Sequence, residues 1–580
     1  MTVARSESID ALFRQGNAFR AAGRLREAAA EYRRVIALAP ANARAHDHLA
    51  GCLALLGDFA GALGHHQAAV TGGGPTAEFH HNYGLTLRRL GRLNDAVAEF
   101  ERAVTARVNY PAAWSNLGAT LEEADRLEPA LAAYQRALAF DTGNPLTHFR
   151  LGNVLFRMGR LDDAAAAYRK AILRDAGFAP AHDSLGIVLV AQGRAAEAVA
   201  CHRAAVARAP ERAAFHTNLG AALAASGDAD AAADAYQAAL GRDPNHADTW
   251  HNIGELGRSR GRWVEADAAY SRALAANARH DKARFARGLL RLSLGRFAEG
   301  WNDYRARAMP AVHGRLHREP LPAALSGKRI HARWDQGLGD EIFFLRFLPM
   351  LRARGAWVAY EPDVRLAAML IRAGIADRML APGERIDDAD YHIAIGDLPH
   401  LLGMVDTPPS IPLTPLPDRV AQMRAALGPV PWLGVTWRAG TAAKSGALFK
   451  EVARDALARA LSGYRGTVVA VQRRPADGEV TAFAGALGRP VVDLTAANEN
   501  LETILALMDL LDDYVCVSNT NVHLRAALGR TARVLVPHPP EFRWLVEGEA
   551  SPWFPGARVY RQAADGAWHP ALLRLAAELG

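Results

Sequence analysis

Four stretches in the second half of the chain hold residue types suited to moving a phosphate-linked group. In Trp334-Asp335-Gln336-Gly337-Leu338-Gly339-Asp340-Glu341 an apolar run passes through two glycines into a helical pattern. Gly337 and Gly339 would let backbone N–H groups approach a ligand, and a helix start favours an anion. Asp340 reads equally well as an ordinary helix cap with an acidic neighbour. In Trp437-Arg438-Ala439-Gly440-Thr441, followed by Lys444 and Lys450, cations trail a strand. They suit a diphosphate or monophosphate leaving group, whose growing charge needs fixed donors, or they are simply solvated. In Val517-Ser518-Asn519-Thr520-Asn521-Val522-His523-Leu524 a strand end meets a helix start, again a place for phosphate. His523 falls in its first turn, where a satisfied buried histidine is an equal reading. The fourth stretch, Val536 to Trp544 with Ser551-Pro552-Trp553-Phe554-Pro555, reads as a structured loop. It is either a stacking wall for a base or sugar or a tie for the terminal helix.

These stretches need a scaffold, and short apolar runs alternating with helical ones supply it. Strands are expected at 329–334, 356–360 and 391–395, with helices at 341–354 and 364–373 between them. A proline-rich interruption comes next, at 406–431. The series then resumes with strands at 432–437, 466–472, 491–494, 514–517 and 533–536, and helices at 453–461, 479–488, 501–511, 521–528 and 569–579. Such an order predicts parallel sheets covered by helices, in two doubly wound units, 329–415 and 416–580. Ligands of such sheets sit at the carboxyl ends of the strands.

The first half keeps a different rhythm. Glycine recurs every 34 residues from Gly16 to Gly288, missing only at Ala50. Twelve residues after each mark stands a small residue (Ala28 to Ala266, then Gly300), and four further on a ring (Tyr32, His66, Phe100, and so on to Tyr304). Seven residues after the marks, glycines from Gly23 to Gly295 supply a turn, with Asp125 the exception. The spacing predicts nine helical hairpins over 9–306, stacked into a superhelix, and a linker over 307–328. Two residues before their marks, Asn82, Asn116, Asn218 and Asn252 form a broken row with Arg150 and Ser184 between them. Each amide offers a donor and an acceptor, enough to hold a peptide backbone; ordinary polar helix surface is the alternative.

Composition narrows the class. The chain has 580 residues, a formal charge of +7 and three cysteines. That charge is modest for the length and lacks a Lys/Arg block, so it reads as solvated surface and not as a nucleic-acid footprint. No apolar run reaches the roughly 18 residues of a membrane helix, and the polar start predicts no export. Scattered cysteines fit a reducing, cytoplasmic setting with neither a disulfide frame nor a metal knuckle.

The repeat half resembles the tetratricopeptide repeat, in its period and in its Leu-Gly, Ala, aromatic, Ala, Pro pattern. From about residue 321 to 579 the chain resembles bacterial repeat-bearing glycosyltransferases whose catalytic half is related to lipopolysaccharide heptosyltransferases and, more distantly, to O-GlcNAc transferase. The residues carrying this are Gln336-Gly337-Leu338-Gly339-Asp340, Gly434-Val435-Thr436-Trp437, His523-Leu524 with Ala526-Ala527-Leu528-Gly529, and Arg543-Trp544 with Ser551-Pro552-Trp553-Phe554-Pro555. The resemblance implies a GT-B fold and inverting transfer from a nucleotide sugar, used as substrate with no cofactor and no obligatory metal. It places Asp340 as the base, while Gly337, Gly339, Arg438, Lys444, Lys450 and Ser518, Asn519, Thr520, Asn521 and His523 face the donor phosphates. The acceptor would be a protein hydroxyl brought by the repeats, with Asn82, Asn116, Asn218 and Asn252 lining its groove as in the related O-GlcNAc transferase. Where the heptosyltransferase pattern has Asp-Thr, this chain has Ser518-Asn519, a stretch closer to repeat proteins linked to flagellin glycosylation. That departure keeps open a scaffold or chaperone with a degenerate transferase half, and a separate rival is a transferase acting on a lipid or saccharide acceptor.

Overall fold

In the first half, each mark glycine from Gly16 to Gly254 lies under a ring of its own hairpin, while Gly288 lies against the backbone of Asp303 and Tyr304. The structure, a computed structural model, describes residues 8–74, 76–309, 316–439 and 450–580. Its described residues include nine helical hairpins, from Ile9–Ala21 to Phe297–Tyr304. A Cβ added at Gly152 would stand 2.5 Å from the Tyr168 ring, and one at Gly220 the same 2.5 Å from Tyr236. Glycine and ring are therefore one device, which closes the gap inside a hairpin. At Ala50, the one mark without glycine, the ring position is held by His66. His66 Nδ1 stands 3.4 Å from Asp47, whereas its counterpart His202 over Gly186 reaches Asp183 at 2.8 Å. The turn glycines hold left-handed backbone, and Asp125 adopts it too, at φ 58°.

A second regularity was not read from the sequence. Four residues before the mark, a side-chain N–H repeatedly donates to the carbonyl six residues back. His46 reaches Pro40 at 3.0 Å, Trp114 reaches Val108 at 2.8 Å, and His148 reaches Thr142 at 3.1 Å. His216 and Trp250 do the same to Pro210 and Pro244. Each such bond satisfies a carbonyl in the bend between hairpins that no helix partner reaches. The chain divides into two compact units, 1–242 and 243–580, so the eighth and ninth hairpins share a unit with the strands of the second half.

Within the second unit, β1 (Arg329–Arg333), β2 (Trp357–Glu361), β3 (Arg378–Met379) and β4 (Tyr391–Ala394) form a parallel sheet in the order β3-β2-β1-β4. A six-stranded parallel sheet comes after it. It is built from β5 (Trp432–Thr436), β8 (Thr467–Ala470), β9 (Val492–Asp493), β10 (Asp513–Val517), β11 (Arg533–Val536) and β12 (Arg558–Arg561), ordered β12-β11-β10-β5-β8-β9. Between β5 and β8, β6 (Arg438–Ala439) pairs antiparallel with β7 (Lys450–Glu451). The expected helix at 341–354 is broken into Leu338–Phe344, a tight turn and Leu348–Ala353, with Pro349 in the first turn of the last piece. The proline-rich interruption contains a helix, Pro417–Ala426, with a proline as its first residue.

The stretch without regular structure after the ninth hairpin is tied down where it is described. Leu321 and Leu325 are buried, and their N–H groups donate to Leu401 and Arg354 at 2.8 and 2.7 Å. The fourth stretch, 536–555, contacts the terminal helix His569–Leu579 through the ion pair of Glu549 with Arg574, and its aromatic side chains pack inward. Trp544 and Trp553 are fully buried; Trp553 packs on Phe297, Trp301 and Phe343, and Trp544 stacks on Phe554. It thus joins the ninth hairpin to helix Leu338–Phe344.

Candidate active site

The carboxyl ends of β1, β5 and β10 empty into one cleft of about 1590 Å³. Its lining includes Gly337, Gly339, Asp340, Arg438, Lys450, Ser518, Asn519, Thr520, Asn521 and His523. These residues, scattered over nearly two hundred positions in sequence, are thus brought together. Lys444, with Gly440 and Thr441, lies outside the described residues. A Cβ on Gly339 would stand 3.5 Å from both Thr520 Oγ1 and the His523 ring, so the two loops meet at van der Waals distance.

Helix Thr520–Ala527 starts at this cleft. Asn519 Oδ1 accepts from Val522 N at 3.2 Å, and its Nδ2 donates to the Tyr514 hydroxyl at 3.1 Å. That cap serves the third N–H of the helix. The first two, on Thr520 and Asn521, have no partner among the described residues, and both residues line the cleft. Asn521 Nδ2 donates to Asn498 Oδ1 at 3.1 Å, which orients the turn.

The ionic groups form linked pairs. Asp340, about a third exposed, pairs with Arg543, whose own side chain is 8 % exposed and lies between the Phe343 and Phe542 rings. Arg543 Nε is buried without a hydrogen-bond partner among the described residues. Lys450 pairs with Glu541 and donates to Ser518 O at 3.1 Å; Ser518 Oγ donates to Glu541 at 2.7 Å. Arg438 meets Glu479 at 2.5 Å. Burial alone would raise the Glu541 carboxyl, and Lys450 with Arg543 reverses that, so it lies below its ordinary value. Burial, with Arg543, Arg346 and Lys450 close by, drives His523 well below the ordinary histidine value. It is a neutral ring, able to hydrogen-bond a ligand and unable to deliver a proton as imidazolium at neutral pH.

One residue after Asp340, Glu341 points into the protein. Burial raises its carboxyl to about 7, and one oxygen accepts from the Tyr360 hydroxyl at 2.8 Å and from Asp363 N at 3.0 Å. Sequence reasoning missed Arg543 and Glu541 as site residues. The signal for them was a pair of opposite charges inside an aromatic and proline-rich run, where each must find a partner.

The four asparagines hold internal partners. Asn82 donates to Asp47 at 3.0 Å, Asn218 to Asp183 at 2.9 Å, and Asn116 meets His81 Nε2 at 2.9 Å; Asn252 Oδ1 faces His251 at 3.2 Å. Asn82 and Asn218 repeat one arrangement, in which the same aspartate also faces the ring-position histidine, His66 or His202.

Tetratricopeptide-repeat models match residues 13–78, 84–145 and 184–247, and a further repeat model matches 145–177. The N-terminal region is an array of tetratricopeptide repeats. The chain is 30% identical over 322 residues to Protein FlbA of Caulobacter vibrioides, across 48% of this chain and 52% of FlbA. It thus spans about half the length of that curated relative. Among solved structures it resembles YrrB, described as a TPR protein with an unusual peptide-binding site, at 25% identity over 33% of this chain and 98% of YrrB, TM-score 0.28. It also resembles the APC/C heterotetramer Cut9–Hcn1, at 17% identity over 48% of this chain and 55% of that one, TM-score 0.35. Among the described residues no helix is long and apolar enough to cross a membrane.

Proposed function

We propose that this chain is a glycosyltransferase of the GT-B kind, moving a sugar from a nucleotide-activated donor to a hydroxyl of a protein recruited by its repeats. The observation that carries the reading is the cleft at the carboxyl ends of two parallel sheets, lined by Asp340 with its partner Arg543, by Lys450 and Arg438 with their carboxylate partners, and by the N–H groups that open helix Thr520–Ala527. The acceptor oxygen attacks the anomeric carbon while the bond to the donor phosphate breaks, giving inversion. Asp340 takes the acceptor proton. The electron pair leaves on a phosphate oxygen, where Lys450, Arg543 and the N–H groups of Thr520 and Asn521 stabilise the charge. Arg438 and neutral His523 complete the donor wall. Tetratricopeptide repeats suit a protein acceptor, flagellin being one class, and three unpaired cysteines suit a cytoplasmic setting.

One observation favours a second reading, a scaffold that binds a nucleotide sugar without turning it over. Arg438, Lys450 and Arg543 each already face a carboxylate of the chain, and Ser518 spends its hydroxyl on Glu541. Calorimetry and nucleotide release with a panel of nucleotide sugars separate the two. The transferase reading expects release by the wild type and a fall of roughly 10² to 10⁴-fold in Asp340→Asn with donor affinity kept. Binding without release supports the scaffold, and undiminished turnover in Asp340→Asn removes that carboxylate from the chemistry.

A further inference from the structure

The ninth repeat breaks the habit of the others. Tyr32, Tyr168 and Tyr270 spend their hydroxyls inside their own hairpins, on Asn17, Asn153 and Glu255. Tyr304 occupies the same place in the pattern, yet its hydroxyl leaves the array and donates to Gln336 Oε1 at 2.8 Å. Three residues on, Arg307 crosses from the end of the hairpin into the sheet. Its Nε and one terminal nitrogen donate to Asp335 Oδ2 at 2.8 and 2.6 Å, and the other terminal nitrogen pairs with Asp397. All three side chains are at most 3 % exposed. Asp335 Oδ1 accepts from Gly396 N at 3.0 Å, so the guanidinium ties the exits of β1 and β4 together. A Cβ on Gly396 would stand 2.5 Å from Gln336 and 2.7 Å from Arg307, which leaves no slack in the assembly.

What this grips is the start of the glycine loop. Asp335 and Gln336 immediately precede Gly337, where helix Leu338–Phe344 begins, and Asp340 stands in the first turn of that helix. Burying a guanidinium and two carboxylates is costly unless geometry is fixed, and breaking one partner leaves the others unpaired. A group one ångström out of place loses a large factor in rate.

We propose that Tyr304 and Arg307 are positioning residues: the last repeat hairpin braces the loop that carries Asp340, making it part of the catalytic framework instead of client-binding surface. The catalytic half of this inference rests on the transferase reading; the brace itself does not. The test uses the full chain with Tyr304→Phe, which removes one hydroxyl, and Arg307→Lys, which keeps the charge and loses the fork. Hydrogen exchange is followed in peptides spanning 334–341 and, as an internal control, in β10. Steady-state kinetics use whichever nucleotide sugar the wild type turns over. Tyr304→Phe is expected to speed exchange at 334–341 alone, and to lower kcat about tenfold with KM for the donor held within about twofold. Arg307→Lys should give the same pattern more strongly. Unchanged exchange at 334–341 in both variants overturns the brace, and altered exchange with wild-type kcat overturns the positioning role. A wild type that turns over no nucleotide sugar, with exchange altered as expected, sinks the transferase reading and leaves the brace standing.

Discussion

Asp340 and Arg543 lie 203 residues apart and share an ion pair, which explains what could and could not be read in advance. Gly337, Gly339 and the 518–523 stretch stood out because a helix start makes its own demands locally. Arg543 did not, because its partner is fixed only by the fold. The asparagine row reads as a holder of peptide backbone, with polar helix surface as the alternative; in the structure Asn82 and Asn218 face aspartates 35 residues earlier, a spacing of one repeat plus one. That spacing was available in the sequence. Histidine chemistry adds a consequence. His48, near Asn17 and Tyr32, is pushed down to about 4, by burial first and then by the charge of Arg20, with Arg44 adding to it and Asp47 opposing. Its folded value lies below the unfolded reference of about 6.5. Its contribution to stability is therefore complete above about pH 6.5 and lost as pH falls towards 4. Thermal unfolding between pH 7 and 4.5 should show Tm falling, by about 2–4 °C per kcal/mol lost, and His48→Gln should flatten that dependence. An equal slope in the variant would assign the acid sensitivity to other groups.

The nine hairpins were legible because a 34-residue period repeats every packing demand nine times. The described strands of the second half were mostly legible as well, since buried parallel strands read as short apolar runs. Two-residue β3 and the β6–β7 pair were not, as so short a run leaves no pattern, and β12 hid behind the prolines and tryptophans before it. Glycine under a ring gives the repeat its sharpest test. Gly152→Ala places a methyl 2.5 Å from the Tyr168 ring, which is held by a hydrogen bond to Asn153 at 2.8 Å. The ring must move or lose that bond, so a cost of about 1–3 kcal/mol is expected in denaturant unfolding despite alanine's better helix propensity. A stability gain would mean that the ring yields freely and that glycine serves some other end.

The compact division after Arg242 sets the first seven hairpins apart from the last two, which share a unit with both sheets. A change of period near residue 304 marks where the repeat pattern stops. It carries no information about which hairpins pack on the sheets, because that depends on contacts such as Trp301 with Phe344 and Phe542. On this account the chain combines an array that recruits a protein with a cleft that transfers a sugar. The most direct test is the intact mass of candidate acceptor proteins, flagellin first, coexpressed with the wild type or with Asp340→Asn. The account expects acceptor mass to rise by whole sugar residues with the wild type and to stay unmodified with the variant. Acceptors left unmodified by the wild type, while lipid or free saccharide takes up the sugar, would contradict it.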